Sequence, residues 1–162
     1  RLWAQSNGGF QKFYADAQFS QVVTPNSFFT VSLKGQIASK NLDALEKFSF
    51  GGIVGVRAYS SDLGTGDEGV LANFSYTFRP SAALPIRVGV FYDYAQVMAS
   101  HASLPSTDPS AQNSFHMDAA GLQLVAQYKQ FMLNTALAHP ISKSFVNPQQ
   151  GWRMWAQLTA VF

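Results

Sequence analysis

The sequence predicts an all-β chain, an antiparallel transmembrane β-barrel segment of about seven strands, and three observations carry that reading. Apolar and polar side chains alternate with period two along most of the 162 residues. Hydrophobic residues make up 47% and aromatics 14%, while charged residues reach only 12%, about half the level usual in soluble domains. Connections between the alternating stretches are short and long in strict turn.

In the stretch 12–23, Phe13, Ala15, Ala17 and Phe19 face one way, and Lys12, Tyr14, Asp16, Gln18 and Ser20 the other. In 29–38, Phe29, Val31, Leu33 and Ile37 oppose Thr30, Ser32, Lys34 and Gln36. In 70–79, Val70, Ala72, Phe74, Tyr76 and Phe78 oppose Asn73, Ser75, Thr77 and Arg79. From residue 86, Ile86, Val88, Val90, Tyr92 and Tyr94 oppose Arg87, Gly89, Phe91 and Asp93. In 120–128, Ala120, Leu122, Leu124, Ala126 and Tyr128 oppose Gly121, Gln123 and Gln127. From residue 131 the pattern weakens, with Phe131, Leu133 and Leu137 against Met132, Asn134 and Ala136. In 152–162, Trp152, Met154, Ala156, Leu158, Ala160 and Phe162 oppose Arg153, Trp155, Gln157, Thr159 and Val161.

These stretches run to roughly 9–12 residues, enough for a tilted strand to cross a bilayer, whereas soluble sandwich strands are nearer about 5–6. Aromatics gather near their ends: Phe28 and Phe29, Tyr76 and Phe78, Tyr92 and Tyr94, Tyr128 and Phe131, and Trp152. Girdles of a membrane barrel sit there. The links at 24–27, 79–85 and 129–130 are short, and those at 42–69, 98–115 and 140–151 are long. Antiparallel strands put successive links at opposite ends, so short turns collect on one side and long loops on the other. In outer-membrane barrels the short turns are periplasmic, which places the C-terminus at the periplasmic side. A soluble β-sandwich with one wet face is the competing reading.

Single-chain bacterial barrels have an even strand count, and an open edge in lipid leaves backbone groups unpaired. The expectation is that the remaining strands lie upstream or in another chain, with residues 1–9 at best a poor eighth strand. The chain reads as one portion of a barrel domain over 1–162, with no periplasmic domain of its own and neither a starting Met nor a signal-peptide pattern.

Other classes find little support. No run of about 18 apolar residues suggests a membrane helix. Cysteine is absent, which removes disulfides and thiolate metal sites. A formal net charge of +2 without a Lys/Arg cluster argues against nucleic acid. The segment "GTGDEG" at 64–69 lacks both the ligand spacing of a calcium loop and the Lys-Ser/Thr of a phosphate loop, so no metal or cofactor is expected. Ser114, His116 and Asp118 are three residue types of a hydrolase triad, but their alternate spacing on one strand is no sign of a nucleophile–base pair. No catalytic residue is assigned.

The long link 42–69 holds the informative residues. Gly51, Gly52 and Gly55 allow tight bends, and Arg57 is its one arginine. Asp93 lies on the polar parity of its strand, two residues from Phe91. A guanidinium fork matches a carboxylate at two points, so Arg57 suits Asp93 as a partner; the competing readings are a solvated loop charge for Arg57 and a pair with Arg87 or Arg153 for Asp93.

The segments "GQIASKNLDALEKFSFGGIVGVRAY" at 35–59, "VFYDYA" at 90–95 and "WAQLTAVF" at 155–162 are similar to a known family. The chain, from about residue 10 onward, resembles the C-terminal barrel half of two-partner secretion outer-membrane transporters of the haemolysin secretion/activation type, a branch of the BamA superfamily. The resemblance implies a barrel of about sixteen strands that exports a large exoprotein, with partners in membrane lipid or lipopolysaccharide, the exoprotein client and the barrel-assembly machinery. It implies that a Val-Arg-Gly-Tyr motif, here Val56, Arg57, Ala58 and Tyr59, folds back into the lumen. There it meets a Phe-x-Asp-x-Gly motif, here Phe91, Asp93 and Ala95. It also makes Trp152, Met154, Leu158 and Phe162 an assembly signal. Two glycines of the family motifs are Ala58 and Ala95 here, which predicts an altered loop tip, since alanine tolerates positive φ poorly. Sister functions in the same superfamily, an outer-membrane protein insertase, and a passive porin-like barrel are the alternatives.

Overall fold

The computed structural model describes residues 9–102, 113–142 and 151–161. Nine strands follow in chain order: β1 (Lys12–Thr24), β2 (Ser27–Ala38), β3 (Phe48–Ser49), β4 (Thr65–Gly66), β5 (Glu68–Phe78), β6 (Ile86–Met98), β7 (Ser114–Tyr128), β8 (Phe131–Pro140) and β9 (Arg153–Ala160). Seven of them form one antiparallel sheet in the order β1-β2-β5-β6-β7-β8-β9. The two-residue strands β3 and β4 pair with each other inside the long loop between β2 and β5. No helix occurs among the described residues.

Each strand of the large sheet pairs with the previous one, so the register carries a single parity across the whole sheet. Phe19 lies opposite Val31, Val31 opposite Phe74, Phe74 opposite Tyr92, and Tyr92 opposite Ala120. On this face Phe13, Leu33, Val90, Leu122, Leu137, Met154 and Leu158 are exposed side by side. An apolar surface of that breadth is foreign to a protein bathed in water on both sides. Aromatic residues flank it, with Tyr76, Phe78, Tyr128 and Phe131 near the short turns and Tyr92, Tyr94 and Trp152 near the long loops. Phe28 is an exception: it pairs with Thr77 on the other face and belongs to no girdle.

Among the described residues no second layer covers this face, as a soluble sandwich would require. What covers the opposite face is a loop. Residues 39–67 turn back over it, and Phe50, Val56, Ala58 and Tyr59 pack on Leu71, Phe91, Ala95, Val97, Phe115, Met117, Ala119, Ala136 and Ala138. The inner face is therefore not polar throughout. Near the long loops it is apolar and built of small residues, because a loop lies on it. Its polar positions dominate on β1 and β2, where Lys12, Asp16, Gln18, Ser32 and Lys34 alternate.

Two boundaries differ from the sequence reading. The alternation read from residue 120 extends back to Ser114 in β7, and that read over 131–137 runs on to Pro140 in β8; the second long link, 99–113, stays close to the 98–115 of the sequence. β7 carries Phe115, Met117 and Ala119 inward under the loop, on the parity opposite to the apolar Ala120, Leu122 and Leu124. Both sheet edges, β1 and β9, are unpaired on their outer side among the described residues. Residues 1–8 and Phe162, which carry the eighth-strand and terminal-signal expectations, lie outside the described residues.

Candidate functional site: the loop seat

The tip of the loop first closes on itself. Val56 N–H donates to the Phe50 carbonyl at 2.7 Å, Gly52 N–H to that of Tyr59 at 2.8 Å, and Gly55 N–H to that of Gly52 at 3.0 Å. Gly52 adopts φ +92°, a left-handed conformation that glycine takes without strain. At Gly55 the limit is space: a Cβ would stand 2.3 Å from the Phe50 carbonyl oxygen. Ala58 is buried, and Lys129 is the one non-glycine with positive φ among the described residues. Neither Ala58 nor Ala95 adopts a positive φ here.

Arg57 projects from this knot onto β6. Its Nε donates to Asp93 Oδ2 at 2.9 Å, its Nη2 to Oδ1 at 2.8 Å, and its own backbone N–H to Oδ2 at 3.0 Å. Asn73 Nδ2, from β5, donates to Oδ1 at 2.8 Å and also to the Gly55 carbonyl at 3.0 Å. Each carboxylate oxygen thus accepts two hydrogen bonds, which fills the four acceptor positions of the group. The side chain of Asp93 is fully buried and that of Arg57 is 12% exposed. A third contact comes from β7, where Gln123 Oε1 accepts from Arg57 Nη1 at 2.9 Å while its Nε2 donates to Thr77 Oγ1 at 3.1 Å. The guanidinium carbon lies 3.4 Å from the centroid of the Phe91 ring, a cation–π contact. Gly121, opposite Phe91, makes room for that ring, since a Cβ there would fall 2.5 Å from Phe91 Cζ. From β9, Trp155 Nε1 donates to the Arg57 carbonyl at 2.7 Å.

Val56 and Tyr59 are fully buried beside it. The Tyr59 hydroxyl has no hydrogen-bond partner, and burial, with the Asp118 charge adding, pushes its phenol up to about 12. Trp152, Met154 and Leu158 are exposed, the last two on the apolar face of β9.

The base of the loop has its own fastening. Lys47 Nζ sits 2.8 Å from Asp67 Oδ1 and also donates to the Ala99 carbonyl. Asp67 is fully buried; its Oδ2 accepts from His101 N–H at 2.9 Å, and its carbonyl from Gln36 Nε2 at 3.1 Å. The Lys47–Asp67 contact is a charge contact rather than a well-directed hydrogen bond, because Oδ1 meets no hydrogen-bond geometry. Asp67 of "GTGDEG" therefore serves to hold two loops together, and no cluster of metal-ligating residues occurs among the described residues. Ser114 Oγ accepts from Gln96, and Asp118 accepts from Ser142 and Tyr92, so these two hydrolase-type residues are engaged apart from one another.

Sequence reasoning missed Asn73, Gly121, Gln123, Trp155, Lys47 and Asp67. Inner-face parity was the one signal available for Asn73, Gly121, Gln123 and Trp155. It marks where they point, not what they meet.

An open antiparallel sheet, apolar outside and covered inside by a pinned loop, defines a segment of a transmembrane β-barrel with a folded-in loop. The family model described as "Haemolysin secretion/activation protein ShlB/FhaC/HecB" matches residues 3–122, and the chain belongs to that family. The heme/hemopexin transporter protein HuxB of Haemophilus influenzae strain 86-028NP is 26% identical over 144 residues, covering 86% of this chain. Its counterpart in strain ATCC 51907 / DSM 11121 / KW20 / Rd is 24% identical over the same length. The aligned region spans 25% of each of those proteins, about a quarter of their length. In fold, the chain is similar to CdiB from Acinetobacter baumannii, with a TM-score of 0.72 over 92% of this chain and 27% of that one. Sequence identity there is 16%, so the likeness is one of fold alone.

Proposed function

We propose that the chain is the C-terminal portion of the barrel domain of an outer-membrane two-partner secretion transporter, which exports a large exoprotein through its lumen. In this reading the loop is a latch: Arg57 holds it to Asp93, and it occupies the path that the exported polypeptide must share or clear. The observation that carries the reading is the fully satisfied Asp93 carboxylate, whose acceptor positions go to the loop and the wall. A seat built that way holds one segment of the protein itself and leaves no open acceptor for a substrate. The mechanism involves no covalent chemistry and no cofactor.

The unpaired edges of β1 and β9 call for the remaining barrel strands, upstream or in another chain, since unpaired backbone groups in lipid cost several kcal/mol each. The exposed apolar face meets membrane lipid or lipopolysaccharide. The C-terminal strand, with Trp152, Met154, Leu158 and Phe162, is the signal to the barrel-assembly machinery, and the C-terminus lies at the periplasmic side. On the bare part of the inner face, Gln, Ser and Thr offer few strong sites to trap an extended chain in transit.

The test is the ion conductance of the full-length protein in planar bilayers, with and without Arg57→Ala. A several-fold rise is expected once the loop is no longer held, and an unchanged conductance would favour a passive porin. A null strain sets secretion apart from insertion: loss of one large extracellular protein supports export, and depletion of many outer-membrane barrels supports an insertase.

A further inference from the structure

The latch contacts come from four strands spread over a five-strand stretch of the sheet, β5 to β9. Asn73 is on β5, Asp93 and Phe91 on β6, Gln123 on β7 and Trp155 on β9. Gln123, Ala136 and Trp155 form one cross-strand row on the inner face, with Ala136 as the small residue between two large ones. Neighbouring strands stand about 4.8 Å apart, so the Arg57 residue bridges a gap of roughly 10 Å between Gln123 and Trp155. It does so with both ends of the residue: its side chain reaches Gln123, and its backbone carbonyl accepts the indole N–H. Trp155 is the only described residue of β9 that hydrogen-bonds the loop, and its ring also packs on the buried cluster. Strand β9 is one of the two edges along which this sheet must meet whatever closes it.

We infer that Trp155 is a positioning residue that extends the latch to the terminal strand, so that the loop seats fully only when β9 is in register. The loop then works as a strap from β6 to the closing edge, and release of the tip and loosening of β9 are linked. The linkage is reciprocal, as any coupling between two sites in one equilibrium must be. This inference rests on the latch reading above, and its test separates the two.

The readout is tryptic cleavage after Arg57 in the full-length, membrane-inserted protein. That bond is buried in the seated loop, so cleavage follows the released population. Trp155→Phe keeps an aromatic ring and removes the N–H; it is expected to speed cleavage about two- to tenfold, the range for one lost hydrogen bond. In an Asp93→Asn background the same substitution should add little, because the carbonyl it served is no longer held in place. Equal rates for wild type and Trp155→Phe, or full additivity with Asp93→Asn, overturn the proposal and leave Trp155 a packing residue. If Asp93→Asn itself does not speed cleavage, the latch reading falls and this inference with it. Should Trp155→Phe fail to assemble, Trp155→Gln, which keeps an N–H donor, is compared with Trp155→Leu. Slower cleavage in the glutamine variant supports the proposal, and equal rates overturn it.

Discussion

The tip and the base of the long loop are both fastened by a cation against a fully buried aspartate, yet the two fastenings differ in kind. At the tip, Arg57 and Asp93 meet through paired, well-directed hydrogen bonds, and the aspartate belongs to the barrel wall. At the base, Lys47 and Asp67 are both loop residues, and their contact lacks hydrogen-bond geometry. The base therefore shapes the loop and ties it to the 99–113 loop through His101, whereas the tip decides whether the loop lies on the wall. A planar guanidinium delivers two aligned bonds plus a face for Phe91, which an ammonium cannot do.

The sharpest way to break the comparison is Asp93→Ala. It strands a nearly buried guanidinium, and the loss of seating is expected to be about 3–5 kcal/mol, read as protease release of the loop. Lys47→Ala strands Asp67 at the base, away from the wall contact, so it is expected to release the tip less than Asp93→Ala in the same assay. If Lys47→Ala released the tip as fully as Asp93→Ala, the division between shaping and seating would be wrong. Gly55→Ala, which forces a Cβ toward the Phe50 carbonyl, should destabilise the tip by about 1–3 kcal/mol while leaving the base contacts intact. Gln123→Ala removes one neutral partner of the guanidinium and is expected to cost about 1 kcal/mol in the same assay.

The smallest effect is one of pH. Tyr59, on the loop and outside the spanning strands, has its phenol raised from 10.0 to about 12 while seated. A released phenol ionises from about pH 10, and the seated one stays neutral until about 12. Seating stability is thus whole below pH 10 and falls as pH climbs through that window. Faster loop cleavage at pH 11 than at pH 9, and its suppression in Tyr59→Phe relative to wild type, are the expected outcomes.

How much of this was legible beforehand follows from what periodicity encodes. Alternation of Phe74, Tyr76 and Phe78 with Asn73, Ser75 and Thr77 identifies a strand and its two faces from nearest neighbours alone. It places Asp93 on the inner side but says nothing of the four donors that converge on it. The alternation of β7 was read only from residue 120 because Phe115, Met117 and Ala119 put apolar side chains on the parity opposite to that of Ala120 and Leu122. Those residues obey the loop above them, and a covering segment from some 60 positions upstream leaves no local trace.

By itself the sequence determined the strands, their parity, the sidedness of short and long links, and the residue types able to form a latch. Each of these depends on side chains within a few residues of one another, where backbone geometry is repetitive. The tertiary structure alone decided that the inner wall is half apolar, that Asn73, Gln123 and Trp155 share the seat, and that the loop reaches the terminal strand. Those facts depend on register summed across several strands and on the path of a closed loop, and neither is expressed in any short window of the chain.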